Sequence, residues 1–239
     1  MTTRLWKTRG IWALVLGALV AATGIGASAG AATGGGGCQL DGTAAFGPNG
    51  PGTADTFGYS FSGALSGCQS SVAGAPTSGT IGAGQTVTES VPLTVTNPDG
   101  TTTTTTGTAS YREPAATGTS NVPGASCVSG STSGTAVTSW SDGTTDVISY
   151  TTQSAAAGVS LQGTVVPSVT LQLVPGSQSI AGSSAPSTYT LSTTSSVFPV
   201  GNGAQGLLTF QVADPTQCTT ASGVTDAAIS GIVGVGSTS

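Results

Sequence analysis

From Cys38 onward the chain alternates apolar and polar residues in short runs broken by turn clusters, the signature of strands. The clearest run begins at Phe57: Phe57, Tyr59 and Phe61 alternate with Gly58, Ser60 and Ser62, and Leu65 prolongs the apolar face. An earlier strand carries Leu40, Gly42, Ala44 and Phe46 on one face and ends at the turn GPNGPG, Gly47 to Gly52. Two hairpins are legible from turn chemistry. Asn97-Pro98-Asp99-Gly100 joins Leu93 and Val95 to the threonine run Thr101 to Thr106. Asp142-Gly143 joins Val137–Trp140 to Val147–Tyr150. A threonine run also suits a mucin-like linker, but its place opposite Leu93 and Val95 across a turn favours a strand. Further strands are expected at Val159–Val166, Val169–Val174, Tyr189–Leu191, Gly206–Val212 and Val224–Val235, punctuated by prolines. The spacing predicts an all-β, antiparallel β-sandwich of about nine or ten strands, Ig-like or jelly-roll-like.

The first 32 residues read differently. Arg4, Lys7 and Arg9 precede the apolar run Ile11 to Ala22, and Ala27-Ser28-Ala29 supplies small residues for cleavage. This is the layout of a secretory signal peptide, and the apolar run is too short for the roughly 20 residues a membrane span needs. Residues 33–37 form a Gly-rich linker. Residues 38–239 are then one β-sandwich domain, with subdomains 38–125 and 126–239 as the alternative division. No lipid-attachment pattern leads into Cys38 and no sorting signal ends the chain, so a secreted, extracellular protein without an anchor is expected.

Loss of the leader changes the charge balance. Arg112 is left as the one cation against nine acids, a net charge of −8, with no Lys and no His. Phosphate neutralisation needs cations, so nucleic acid is excluded as a partner, and an anionic membrane surface after signal cleavage on the same ground. Four cysteines, Cys38, Cys68, Cys127 and Cys218, read as two disulfides in an exported chain. The pairing Cys38–Cys68 with Cys127–Cys218 is favoured because each bond then brackets one half of the body. Four cysteines nevertheless permit three pairings.

The strands CQLDGTAAF and TFGYSFSGALSGCQSS, with GTAVTSWSDGTTDVISY and the late PTQC, resemble a group of uncharacterised secreted actinobacterial proteins. The resemblance touches about half of the body. It implies a secreted β-sandwich and brings no activity or site residues with it.

Absences narrow the chemistry. Without His, and without Lys beyond the leader, neither a Ser-His-Asp arrangement nor Schiff-base chemistry can be assembled, and disulfide-bonded cysteines leave no thiolate. Carboxylate pairs remain, as in a glycan hydrolase, but nine acids form many pairs by chance. Asp99, Asp142 and Asp146 sit at the hairpin turns; no calcium-loop pattern surrounds them, and turn aspartates usually bond their own backbone. Arg112-Glu113 reads as a local ion pair. Trp140, the sole Trp beyond the leader, is the candidate ligand platform, set against a structural role at the end of the core or a cross-strand pair with Thr145. The expected function is therefore non-enzymatic: a structural, adhesive or surface-interaction role, with no cofactor and no metal, toward a cell-wall or extracellular glycan or a protein surface. The alternatives are a carbohydrate-binding module and, behind it, a carboxylate-dependent secreted glycan hydrolase.

Overall fold

The computed structural model describes residues 35–47, 56–120, 130–155, 158–214, 216–217 and 223–236. The expected leader (1–32), Cys127 and Cys218 lie outside the described residues, and with them the expected Cys127–Cys218 pairing.

The strongest alternation forms the first strand pair. β1 (Gly36–Phe46) and β2 (Thr56–Ser70) run antiparallel with Leu40 opposite Leu65 and Ala44 opposite Phe61. Two short strands, β3 (Gly79–Ala83) and β6 (Ala116–Ser120), then share one position beside β2, end to end. β3 pairs with Phe61 to Leu65 of β2, and β6 pairs with Thr56 to Tyr59. Both also pair with β7 (Gly130–Trp140), so together they make one interrupted strand. The sheet continues through β8 (Thr145–Ala155), β9 (Gly158–Val166), β12 (Gly203–Val212) and β13 (Asp226–Gly236). β13 pairs back onto the free side of β1, with Leu40 opposite Gly231. The ring closes as a barrel of eight positions, which leaves it no lateral edge.

The interruption between β3 and β6 holds an insertion. The chain leaves the barrel at Ala83, opposite Phe61, and returns at Ala116, opposite Tyr59. Between them β4 (Thr86–Thr96) and β5 (Thr102–Arg112) form the long hairpin whose turn is Asn97 to Gly100. A second excursion leaves β9 at Pro167 as β10 (Ser168–Leu173) and β11 (Thr188–Ser192). β10 meets β5 through Gln172 opposite Arg112 and Leu173 opposite Tyr111, giving a four-stranded sheet in the order β11-β10-β5-β4.

Two cores follow. One fills the barrel, with Leu40, Phe61, Leu65, Ile81, Trp140, Ile148, Tyr150 and Leu208. The other lies between the second sheet and the outer barrel wall, where Val137 and Val147 (directly opposite each other) meet Leu93, Tyr111, Val169 and Leu171. Strand alternation supplies both, since successive residues of β7 and β8 face opposite sides.

The expected sandwich is thus corrected to a closed barrel with a second sheet against its outer wall. The reason is β1, which is paired along both sides and leaves no open edges for two face-to-face sheets. There are thirteen strands among the described residues rather than nine or ten. β3 (GTIGA) and β6 (ATGTS) escaped the reading because they hold one large apolar residue between them. The two cysteine-bracketed halves share the barrel: β3 and β6 pair with β7, and β1 with β13. The Cys38–Cys68 disulfide joins β1 to β2 across a sequence separation of 30, a loop whose closure contributes about 3–4 kcal/mol in the chain-entropy account.

The barrel interior has little room. Gly42 and Gly63 face each other across β1 and β2, and a Cβ on Gly42 would lie 2.3 Å from the Ser62 carbonyl oxygen. On Gly37 of the same strand, a Cβ would meet nothing nearer than the Val233 carbonyl at 3.7 Å. Gly42→Ala is therefore expected to destabilise the protein by about 1–3 kcal/mol. Gly37→Ala should leave it within about 0.5 kcal/mol of wild type. Urea denaturation of the two variants checks this; equal costs would contradict the backbone contact at Gly42.

Candidate functional site

Few polar groups lie inside the barrel, and most of them are held by identifiable partners. At the end near the β7–β8 turn, Trp140 is buried and its Nε1 donates to Oδ2 of Asp146 at 2.6 Å. Asp146 is fully buried and directly opposite Thr138, also buried. Asp146 Oδ1 and Thr138 Oγ1 have no hydrogen-bond partner among the described residues. Burial pushes the Asp146 carboxyl up to about 6; the Trp140 bond pulls it down and the charge of Asp142 adds to the rise. The segment after β11 closes this end. Thr193 and Thr194 hydroxyls accept from the Val147 and Thr145 N–H groups at 3.0 and 2.9 Å, and the Phe198 ring lies 5.2 Å from that of Trp140.

Toward the other end the hydroxyls of Tyr59 and Tyr150 hydrogen-bond each other. The Tyr59 hydroxyl also donates to Thr132 Oγ1 at 2.9 Å, and Thr132 bonds Thr152 at 2.6 Å. Burial raises both phenols above their ordinary range. Glu113 sits where the insertion rejoins the barrel. It is buried, its Oε2 accepts from the Gln85 N–H at 3.1 Å, and its own N–H donates to Gln85 O at 2.9 Å. Gln85 Nε2 in turn donates to the Phe61 carbonyl at 2.9 Å, which ties the hairpin root to β2. Burial pushes Glu113 up to about 7, against the pull of the backbone bonds from Gln85 and Gly84.

The space available is small inside and open outside. The cavity beside Cys38, Phe61, Thr138, Trp140 and Phe198 measures about 40 Å³, room for one water-sized group. A wider groove of about 680 Å³ runs along β2, β6, β7 and β8, where Thr56, Thr117, Thr119, Ser133, Thr151 and Gln153 are exposed. The second sheet presents the same chemistry on a larger scale. Its outer face carries alternate residues of all four strands, and all but Pro92, Arg112 and Gln172 bear a hydroxyl. β4 gives Thr86, Thr88, Ser90, Thr94 and Thr96, and β5 gives Thr102, Thr104, Thr106, Thr108 and Ser110. β10 and β11 add Ser168, Thr170, Thr188, Thr190 and Ser192. Strand geometry spaces these side chains about 4.8 Å across and about 6.7 Å along the sheet. Threonine is stiff at χ1, so the array loses little freedom on contact.

The residues singled out from the sequence fall as follows. Cys38 and Cys68 are joined to each other. Trp140 lies inside the barrel and faces Gly79 across the strand, while Ser139 is the residue opposite Thr145. Asp99 and Asp142 each accept from the backbone N–H and hydroxyl of the threonine two residues on, which lowers both carboxyls. Arg112 is exposed and Glu113 buried, so the strand turns these neighbours apart and the expected local ion pair gives way to the Gln85 bonds. No group of three or more metal-ligating side chains exists among the described residues. The hydroxyl face and the buried Glu113 went unread; the signal for the face was the alternation of Thr and Ser with apolar residues along β4, set opposite the threonine run of β5. No family model, curated protein or solved structure matches this chain.

Asp146 and Glu113 give stability an unusual pH dependence. Their folded values of about 6 and about 7 exceed the ordinary 3.8 and 4.5, so the folded state holds protons that the unfolded chain releases. The stability from this source is complete below about pH 4 and falls as pH rises through about 6 and then about 7. Asp146→Asn keeps an acceptor for Trp140 and removes the buried charge. It is expected to add on the order of 2–3 kcal/mol at pH 8 and nothing of note at pH 4. Urea melts across that range test it, and an equal effect at both pH values would refute the assignment.

Proposed function

We propose that this chain is an exported, non-catalytic extracellular protein that acts by surface contact, with the outer face of the second sheet as the contact surface and neutral polysaccharide as its target. The observation that carries the reading is the composition of that face: exposed hydroxyls in ordered rows, with one charge at its margin, Arg112. Such a surface exchanges hydrogen bonds with a hydroxylated, uncharged polymer at little desolvation cost, whereas a cationic partner would find no opposite charge and an anionic one only Arg112 at the margin. Export is supported by the Cys38–Cys68 bond, which persists in oxidising compartments. The barrel's polarity, apolar within and Thr-, Ser- and Gln-rich without, is the reverse of a lipid-facing barrel.

Two further observations support contact rather than turnover. The cavity beside Trp140 and Phe198 measures about 40 Å³, too little for a substrate. The ten aromatic residues beyond the leader are all buried or half-buried, so the reading as an aromatic-platform carbohydrate module has no exposed ring behind it. Retention of the full chain on an insoluble neutral cell-wall polysaccharide tests the proposal. Replacing the cross-strand pair Thr170 and Thr190 together by Lys is expected to cut retention roughly ten-fold. Leu207→Lys, on the barrel wall at β12, should not. Unchanged retention in the double variant sinks the reading, as does measured turnover that disappears on replacing a single acid.

A further inference from the structure

The two sides of the β4–β5 hairpin are protected very differently. In an antiparallel ladder, alternate residues direct N–H and C=O toward the hairpin partner and away from it. Pro92, opposite Thr106, marks the outward set, because proline has no N–H to give a ladder. The hydrogen bonds agree. Thr94 exchanges two backbone bonds with Ser184 at 2.9 and 2.8 Å on the outer side of β4. On the outer side of β5, Ser110 accepts from the Val174 N–H at 2.9 Å, and Thr108 accepts from the Ser179 N–H at 2.8 Å. Thr108 also donates to the Ser179 hydroxyl at 2.9 Å. By the same alternation Thr102, Thr104 and Thr106 point their N–H and C=O groups out of β5, and these have no partner among the described residues.

This stretch lacks every device that usually blunts a strand edge. β4 is guarded by Pro92 and by the Ser184 bridge. Thr102 to Thr106 carries no charge, no proline and no bulge, and its register with β4 is unbroken. All five threonines are exposed. The sequence there is also the same read in either direction about Thr104.

We propose that this edge pairs antiparallel with the same edge of a second copy of the chain, across a two-fold axis at Thr104. Thr104 then faces its own counterpart, and Thr102 faces the partner's Thr106. The pairing is isologous and closes on itself, so it forms a dimer rather than a filament. Every facing pair is Thr–Thr, a combination that hydrogen-bonds across strands. The turn carboxylates Asp99 of the two copies end about 33 Å apart along the strands, beyond effective repulsion at physiological salt. The occupant argued for is a second copy because the edge is complementary to itself without further specificity.

The full chain with its disulfide intact is followed by sedimentation equilibrium across its soluble range. The wild type is expected to be a dimer that dissociates on dilution. Thr104→Pro removes an outward N–H that the β4 ladder does not use. Thr104→Lys sets like charges face to face across the axis. Each should weaken association roughly ten-fold or more. Thr88→Lys, on the same face of β4 but away from the edge, should dimerise as the wild type does, and circular dichroism checks that all variants keep the fold. If Thr104→Pro disturbs the hairpin, Thr104→Lys alone decides. A wild type that stays monomeric throughout, or a dimer that survives Thr104→Lys, overturns the proposal.

Discussion

The structure depends on β1 being paired along both of its sides, because that double pairing turns a long sheet into a closed ring. A strand with β2 on one flank and β13 on the other joins segments nearly 200 positions apart in the chain. Closure satisfies the backbone of the ring without open edges, which matters for a domain whose side chains are small. It also fixes the interior radius, and a narrow interior explains the glycines. Gly42 against Gly63, and Gly134 and Gly163 beside Tyr150, leave room for the large rings that fill the barrel. Phe61, Tyr150, Trp140 and Phe198 take up what the glycines vacate, and the cavity among them measures about 40 Å³.

Closure also explains where the rest of the chain goes. A barrel strand can be broken only if both pieces still pair with the same neighbours, and β3 and β6 do so on β2 and β7. The inserted hairpin meets the excursion from β9, and the sheet they form covers Val137 and Val147 on the outer wall. The cost of this plan appears at the junctions. Glu113 and Gln85 staple the root of the insertion, and the carboxyl is held in an apolar setting where its charge is disfavoured. Asp146 carries a similar penalty under Phe198 and Trp140, at the closed end of the barrel. Both acids thus sit at junctions of the architecture, one at the root of the insertion and one at the closed end of the barrel.

Division of labour between the two sheets follows. The barrel encloses one core, while the second sheet has one face against its outer wall and one face to solvent. Its solvent face is uniform because Thr and Ser satisfy two demands together: β-branched Thr favours strands, and a hydroxyl keeps the surface wet without charge. The contact role proposed for that face and the dimer proposed at its open edge use different atoms, side-chain hydroxyls in one case and backbone groups in the other.

Local pattern by itself determined most of the strands. The alternation around Phe57 to Leu65, the Asn97 to Gly100 turn and the Asp142-Gly143 turn all reappear where the residues place them, because period-two alternation and turn chemistry are short-range effects. The inward position of Phe61 was likewise legible, since a strand admits only two faces, whereas a run of consecutive threonines in β5 does not say which of them face outward. Tertiary structure decided what no short window contains. β3 and β6 are strands because β2 and β7 offer them partners, not because GTIGA or ATGTS favours one. Barrel rather than sandwich was decided by β13 finding β1, a contact between chain segments that share no local signal. Trp140 was open to either a surface or a core role until closure placed it on Asp146 inside the ring, a pairing made across a turn but buried only by strands from elsewhere in the chain.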